Sequence, residues 1–279
     1  MNYWRRSMDS GEPETFPFIE TTIARRMMMR MRQTHDERGI TVINGPWGIG
    51  KTSAIDAFAR EFESQCAIVK VEPGSNGRGL KSLRMLQLVI EALRVLNRRS
   101  VGSYPGTSPY LLRREVERLL SDWQYDHYGL EGPWPPTFTL IFDEAQYLSK
   151  EAIEQLRFWN DPDRCSMPFP VGLVFVGNNE FAMQETASGV SVLSGAVRSR
   201  LTFEVPLSYE DLSDTDMTLI LQSRGVNDPA ALTEFVSHFS QRRIKRDLRQ
   251  VEKAIARCQR LADGGAITGQ MARDILRPI

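Results

Sequence analysis

The chain has 279 residues, 41% hydrophobic and 25% charged, with 35 basic and 35 acidic side chains balancing to zero net charge. That composition suits a globular protein with one large core, or a core domain plus a small one, and excludes collagenous, disordered and disulfide-framework classes. No stretch approaches the ~20 apolar residues of a membrane span, no apolar signal core opens the chain, and the zero net charge excludes a whole-molecule field that would draw in a polyanion. The expectation is a cytoplasmic protein with no membrane segment. Cys66, Cys165 and Cys258 are scattered without metal or disulfide spacing and read as small buried residues.

Residues 1–15 are polar, carry Gly11 and Pro13, and read as a flexible N-terminal arm. A helix is expected from about Glu20 to Arg38, with Met27, Met28 and Met31 at core spacing. The β-prone run Ile40–Asn44 follows. It leads into Gly45, Pro46, Trp47, Gly48, Ile49, Gly50, Lys51 and Thr52, which match G-x-x-x-x-G-K-[ST] at every fixed position. A helix-prone run begins at Ser53, so the motif has the strand–loop–helix setting it requires. Glycines let such a loop wrap phosphates, so that its N–H groups and the helix N-terminus face the anion. Lys51 would reach the β- and γ-phosphates of a nucleoside triphosphate, and Thr52 would hold Mg²⁺ through its hydroxyl. Residues 45–53 are the candidate nucleotide cradle.

Ala67–Val71 reads as a second strand, 73–79 as a Gly-rich loop and Leu80–Asn97 as an amphipathic helix. Residues 101–109 form a Gly/Pro/Ser linker, Tyr110–Tyr125 a further helix, and 128–136 a loop closed by Trp134-Pro135-Pro136. Phe138–Phe142 is a buried-type strand that ends in Asp143-Glu144. An acidic pair there, downstream of a phosphate loop, has the Walker B form: Asp143 for Mg²⁺ and Glu144 to polarise an attacking water. An acidic strand-to-helix connection with Asp143 as a cap is the alternative. A helix at about 149–159 and a fourth strand at 171–177 follow.

The fourth strand ends in Gly177-Asn178-Asn179-Glu180. Asn178 at its tip would orient the water or touch the γ-phosphate; an Asn-rich turn closed on its own backbone is the alternative. Arg198 and Arg200 precede a short strand at 203–205. Either would supply an arginine to the nucleotide of a neighbouring subunit, or is a solvated or paired surface residue. From Ser208 the pattern is helical, with helices at 208–222, 228–240, 244–261 and 268–276. Within Arg246-Asp247-Leu248, Arg246 is the candidate to reach back to the nucleotide. The alternation of strands and helices argues for a parallel α/β sheet over 16–207, with a helical lid subdomain at 208–279.

The ordered set of residues 45–52, Asp143-Glu144-Ala145-Gln146, Val176-Gly177-Asn178-Asn179-Glu180, Arg198-Ser199-Arg200 and Arg246-Asp247-Leu248 resembles the P-loop AAA+ ATPases. The Asp-Glu-Ala-Gln form followed by Tyr147-Leu148-Ser149 is similar to the phage MuB and transposon TnsC target-selection proteins. This resemblance implies an ATPase with ATP and Mg²⁺ that assembles as a ring or filament on duplex DNA and answers to a transposase. It also implies that the region after the second strand tracks the DNA backbone, which points to Arg78, Lys81 and Arg84; a solvated helix face is the other reading. MuB carries a separate N-terminal DNA-binding domain. Only about forty residues precede the first strand here, so non-specific backbone binding is expected in place of a helix-turn-helix module. A nucleotide-switched signalling or defence ATPase with a protein partner is the alternative function.

Overall fold

The computed structural model describes residues 17–73, 80–99, 104, 106, 108–129, 136–161, 167–179, 193–241 and 244–277. The readings of the 1–15 arm, Arg78, Cys165, Glu180 and parts of 101–136 fall outside them. The chain divides into two units, one of Glu20–Leu212 with Arg246–Leu248, the other built around Ser213–Lys245 and Arg249–Ile279.

The first unit is an α/β sandwich. Helix α1 (Thr22–Glu37) starts where the Thr21 hydroxyl accepts the Ala24 N–H, and it ends at Arg38 in the left-handed region. It buries Met27, Met28 and Met31, as their spacing predicts. Then come β1 (Ile40–Asn44), α2 (Lys51–Glu61), β2 (Cys66–Lys70), α3 (Ser82–Leu96), α4 (Pro109–Tyr128), β3 (Thr139–Asp143), α5 (Lys150–Asn160), β4 (Gly172–Gly177), α6 (Gly195–Arg198) and β5 (Phe203–Pro206). The five strands form one parallel sheet in the order β2-β3-β4-β1-β5. Parallel strands need crossovers, and the helices supply them while covering both faces, so β1, β3 and β4 are buried along their whole length.

On one face, α3, α4 and α5 bury Leu86, Val89, Leu93, Leu119 and Leu156 against Val42, Leu140, Phe142 and Phe175. Trp123 of α4 is its largest anchor. Its ring meets Phe138 edge-on at 4.6 Å and its indole N–H reaches the Ser64 carbonyl, a burial worth about 3 kcal/mol or more. On the other face, α1 and α2 pack together over the sheet, with His35 of α1 against Phe58 and Phe62 of the α2 end and those two rings stacked at 4.6 Å.

β4 separates β1 from β3. Asn44 is level with Gly177, and Asp143 is level with Val176. The loop after β1, the acidic pair after β3 and Asn178 after β4 therefore leave the sheet side by side.

The second unit holds α7 (Asp214–Ser223), α8 (Pro229–Phe239), α9 (Leu248–Ala262, whose first residue sits in the α/β unit) and α10 (Gly269–Leu276). Gly269 lets α10 press on α8: an added Cβ would stand 2.6 Å from Ala230 Cβ. Two helix starts differ from expectation. The helix expected from Ser208 is a 3-10 turn (Tyr209–Asp211), followed by a fresh start at Asp214. Ser208 with Asp211 and Ser213 with Asp216 each form a reciprocal capping box, and the second ends what the first begins. The helix expected from Ile244 starts at Leu248, because the Leu248 N–H is donated to the Gly48 carbonyl at 2.8 Å. Among the described residues, no helix is long and apolar enough to cross a membrane.

Candidate functional site

Three glycines shape the loop after β1, for two reasons. An added Cβ on Gly45 would meet Ile49 Cδ1 at 2.7 Å and Leu207 Cβ at 2.8 Å. Gly48 (φ +73) and Gly50 (φ +92) take the left-handed backbone that side chains resist. Gly50 also precedes α2 without lending a side chain to its first N–H groups, so that helix terminus presents donors and its positive dipole end. The Lys51 ammonium lies back over the loop, donating to the Gly45 carbonyl at 2.8 Å and the Pro46 carbonyl at 2.7 Å. Trp47 is half exposed at 51%, and its carbonyl accepts the Tyr209 O–H at 3.0 Å.

The Thr52 hydroxyl donates to Asp143 Oδ2 at 3.1 Å, and Asp143 Oδ1 accepts the Glu144 N–H at 3.0 Å. Burial pushes the Asp143 carboxyl above its ordinary pKa. The Thr52 hydroxyl opposes the rise, the Glu144 charge adds to it, and the Glu144 N–H and Lys51 oppose it again. Glu144 sits at φ 59, ψ 40, a left-handed backbone that costs a non-glycine residue about 1–2 kcal/mol. Its carboxylate is gripped by Gln146, whose amide donates to Glu144 Oε2 at 2.5 Å. The same amide's oxygen accepts the Asn178 N–H at 3.2 Å. Asn178 is 5% exposed.

Lys51, Thr52, Asp143, Glu144 and Asn178 are thus brought together as the spacing requires, beside residues 45–53, the candidate cradle. Arg198 and Arg200 are not part of that group. Thr202 hydrogen-bonds to Ile40 at the start of β1, so these arginines lie at the amino end of the sheet, opposite the phosphate loop. Arg200 pairs there with Asp161 at 2.5 Å, and Arg198 donates to the Leu193 carbonyl at 3.4 Å. Arg246 belongs to the α/β unit and donates to the Leu212 carbonyl. Lys81 is exposed just ahead of α3, and Arg84 pairs with Glu91 at 3.0 Å.

Three residues were given no role from the sequence. Gln146 stands two positions after Glu144, a hint available only in retrospect. Asp247 packs on the loop so closely that a Cβ on Gly48 would stand 1.9 Å from its Oδ1. Asn44, a polar end to an apolar strand, keeps a buried amide oxygen with no hydrogen-bond partner among the described residues. The site fits a nucleotide and a hard cation. The uncapped helix start and Lys51 suit phosphates, and a hydroxyl beside one carboxylate suits a cation that keeps waters and phosphate oxygens as its other ligands.

The comparisons agree with this geometry. The family description "AAA domain" matches residues 33–184, more than half of the chain. The Mu-like prophage FluMu DNA transposition protein B of Haemophilus influenzae is 28% identical over 163 residues, covering 58% of this chain and 46% of the relative. The ATP-dependent target DNA activator B of Escherichia phage Mu is 24% identical over 202 residues, covering 72% and 55%. The chain spans about half the length of the curated relatives it matches. Among solved structures, Cdc6p from Pyrobaculum aerophilum superposes with a TM-score of 0.59 at 17% identity, covering 95% of this chain and 68% of that one. With its phosphate loop, acidic strand end and five-stranded parallel sheet, the chain belongs to the AAA domain family of nucleotide-binding α/β proteins.

Proposed function

We propose that this protein hydrolyses ATP and uses the nucleotide cycle to assemble on duplex DNA and direct a transposase to its target. The observation that carries the ATPase half is the continuous run of hydrogen bonds from Thr52 through Asp143, Glu144 and Gln146 to Asn178, which joins the ends of β3 and β4 beside the loop after β1. Lys51 leaves its two carbonyl partners for the β- and γ-phosphates, exchanging neutral acceptors for charged ones roughly twice as strong. Thr52 and Asp143 would hold Mg²⁺, which when bound neutralises charge on those phosphates. Glu144 takes the proton of the attacking water. Asn178 faces the γ-phosphate, and Arg246 is the candidate contact from the other side of the loop. Arg198 or Arg200, too distant to serve its own loop, completes the site of a neighbouring copy in a ring or filament.

The DNA half rests on the relatives' names, a transposition protein and a target DNA activator. Lys81 and Arg84, with Arg78 a few residues before them in the sequence, are the proposed phosphate contacts. A cytoplasmic place of action follows from that role. The experiment is duplex binding with ATP, with ADP and without nucleotide, for the wild type and Lys51→Ala. ATP-dependent binding that is lost in Lys51→Ala and weakens steeply with salt supports the reading. Equal binding in every state removes the ATP-loaded clamp. Assembly with ATP but without DNA shifts the function to a protein partner, as in a signalling or defence ATPase.

A further inference from the structure

We propose that Gln146 is a positioning residue for ATP hydrolysis: its side-chain amide fixes the Glu144 carboxylate and ties it to the tip of β4. The inference rests on the ATPase reading above and deepens it. Gln146 is 4% exposed, in a 3-10 turn (Ala145–Tyr147) wedged between the ends of β3 and β4. Its amide is used at both ends, donating to Glu144 Oε2 at 2.5 Å and accepting from the Asn178 N–H at 3.2 Å. The orientation is forced. Turned over, the amide would set its N–H₂ against the Asn178 N–H and its oxygen against a carboxylate, two repulsive contacts in place of two bonds.

A carboxamide offers a donor and an acceptor side by side on one small planar terminus. Asparagine is one methylene too short to span both partners from the same backbone. The bond takes Oε2 of Glu144, which leaves proton acceptance from water to Oε1. It also restrains a carboxylate whose backbone is already in the sparsely populated left-handed region, so that the base has one orientation and not an ensemble. Because the other end holds the Asn178 backbone, the carboxylate and the strand tip facing the γ-phosphate shift together.

The test uses the full chain and measures kcat, KM for ATP and the affinity for a fluorescent ATP analogue. Gln146→Met removes both bonds at similar volume. Gln146→Glu keeps the acceptor toward Asn178 but sets a second carboxylate against Glu144. Both are expected to lower kcat by about 10- to 100-fold, a share of what a placed general base supplies, while KM and nucleotide affinity stay within about 3-fold. In the Glu144→Gln background, Gln146→Met is expected to cause no further loss, because it acts through a base already gone. A Gln146→Glu enzyme with normal or raised kcat overturns the proposal, since the amide would then merely brace β4. So does an additive loss in the double variant. Normal hydrolysis by Glu144→Gln overturns this proposal and the ATPase assignment of Glu144 together. Slow Glu144→Gln with normal Gln146 variants overturns the positioning role alone.

Discussion

The two ends of one sheet hold two polar clusters of opposite character. At the amino end, the Thr34 and Thr41 hydroxyls bond to each other at 2.5 Å. His35 lies between Thr139 at 3.0 Å and Gln65 at 3.1 Å. The Asn160 amide joins the Arg38 and Val171 carbonyls. Within these contacts neutral groups answer neutral groups, and the buried Asp161 carboxylate at this end is met by Arg200. At the carboxyl end, Glu144 sits in left-handed backbone as Arg38 does, but its carboxylate adds negative charge beside Asp143, Asn44 keeps a buried oxygen with no hydrogen-bond partner among the described residues, and burial raises the Asp143 carboxyl. Strain and unmet polar capacity each cost about 1–3 kcal/mol, and such costs persist where a ligand or a reaction uses them. Strands β1, β3 and β4 supply both ends, so the difference lies in the side chains and not in the scaffold.

The sharpest way to break the contrast is at the carboxylate that follows Asp143. Glu144→Gln is expected to lower ATP hydrolysis by about 100- to 1,000-fold, through loss of the base. Nucleotide binding is retained, because Lys51 and the loop are untouched. Steady-state rates alongside analogue affinity check both halves, and a normal rate would return Glu144 to the status of a strained turn residue.

Gly48→Ala probes the loop itself. The alanine must hold φ near +73, at a cost of about 1–2 kcal/mol, and its methyl falls on the Asp247 carboxylate. ATP affinity is expected to drop by roughly 10- to 100-fold, with global stability less affected. Adding Asp247→Ala separates the two causes. Recovery of part of the affinity assigns that part to the clash, and no recovery assigns all of it to the backbone.

The arginines near the amino end divide by their partners. Asp161 is 5% exposed, and Arg200→Ala takes the guanidinium from it, so a stability loss of about 1–3 kcal/mol is expected in urea unfolding. Arg198 is exposed and donates to the carbonyl of buried Leu193, and Arg198→Ala is expected to spare stability while lowering hydrolysis. Mixing it with Glu144→Gln should then restore activity, since each copy supplies what the other lacks. No restoration would place the arginine's role within one subunit.

What was legible in the sequence follows from the range of the interactions. The phosphate loop and the acidic pair are local: fixed spacing puts glycines, Lys51 and Thr52 on one turn, and a strand end places Asp143 level with Val176. The parallel sheet was legible from strand–helix alternation. The role of Gln146 was not, because its partner Asn178 lies 32 residues away and is set by the pairing of β3 with β4. The start of α9 was displaced by a bond to Gly48, about two hundred residues upstream, which no periodicity encodes. The Ser208 and Ser213 capping boxes were local and readable as Ser-x-x-Asp, yet the apolar stripe running through them suggested one helix.

The smallest expected effect sharpens the amino end. Burial holds the His35 pKa below its ordinary value. The Gln65 bond and Asp36 oppose the shift, and Arg38 adds to it. The folded state therefore takes up a proton on His35 less readily than the unfolded chain, whose histidine titrates near 6.5. Stability from this group is present above about pH 6.5 and is lost as the pH falls, because protonation pulls the chain toward the unfolded state. Urea midpoints between pH 7.5 and 5.5 should decline, and part of that decline should vanish in His35→Gln, which keeps a neutral amide near Thr139 and Gln65. An unchanged pH slope in His35→Gln would mean that the imidazole accepts its proton inside the fold, and that the amino-end cluster is open to charge as the carboxyl end is.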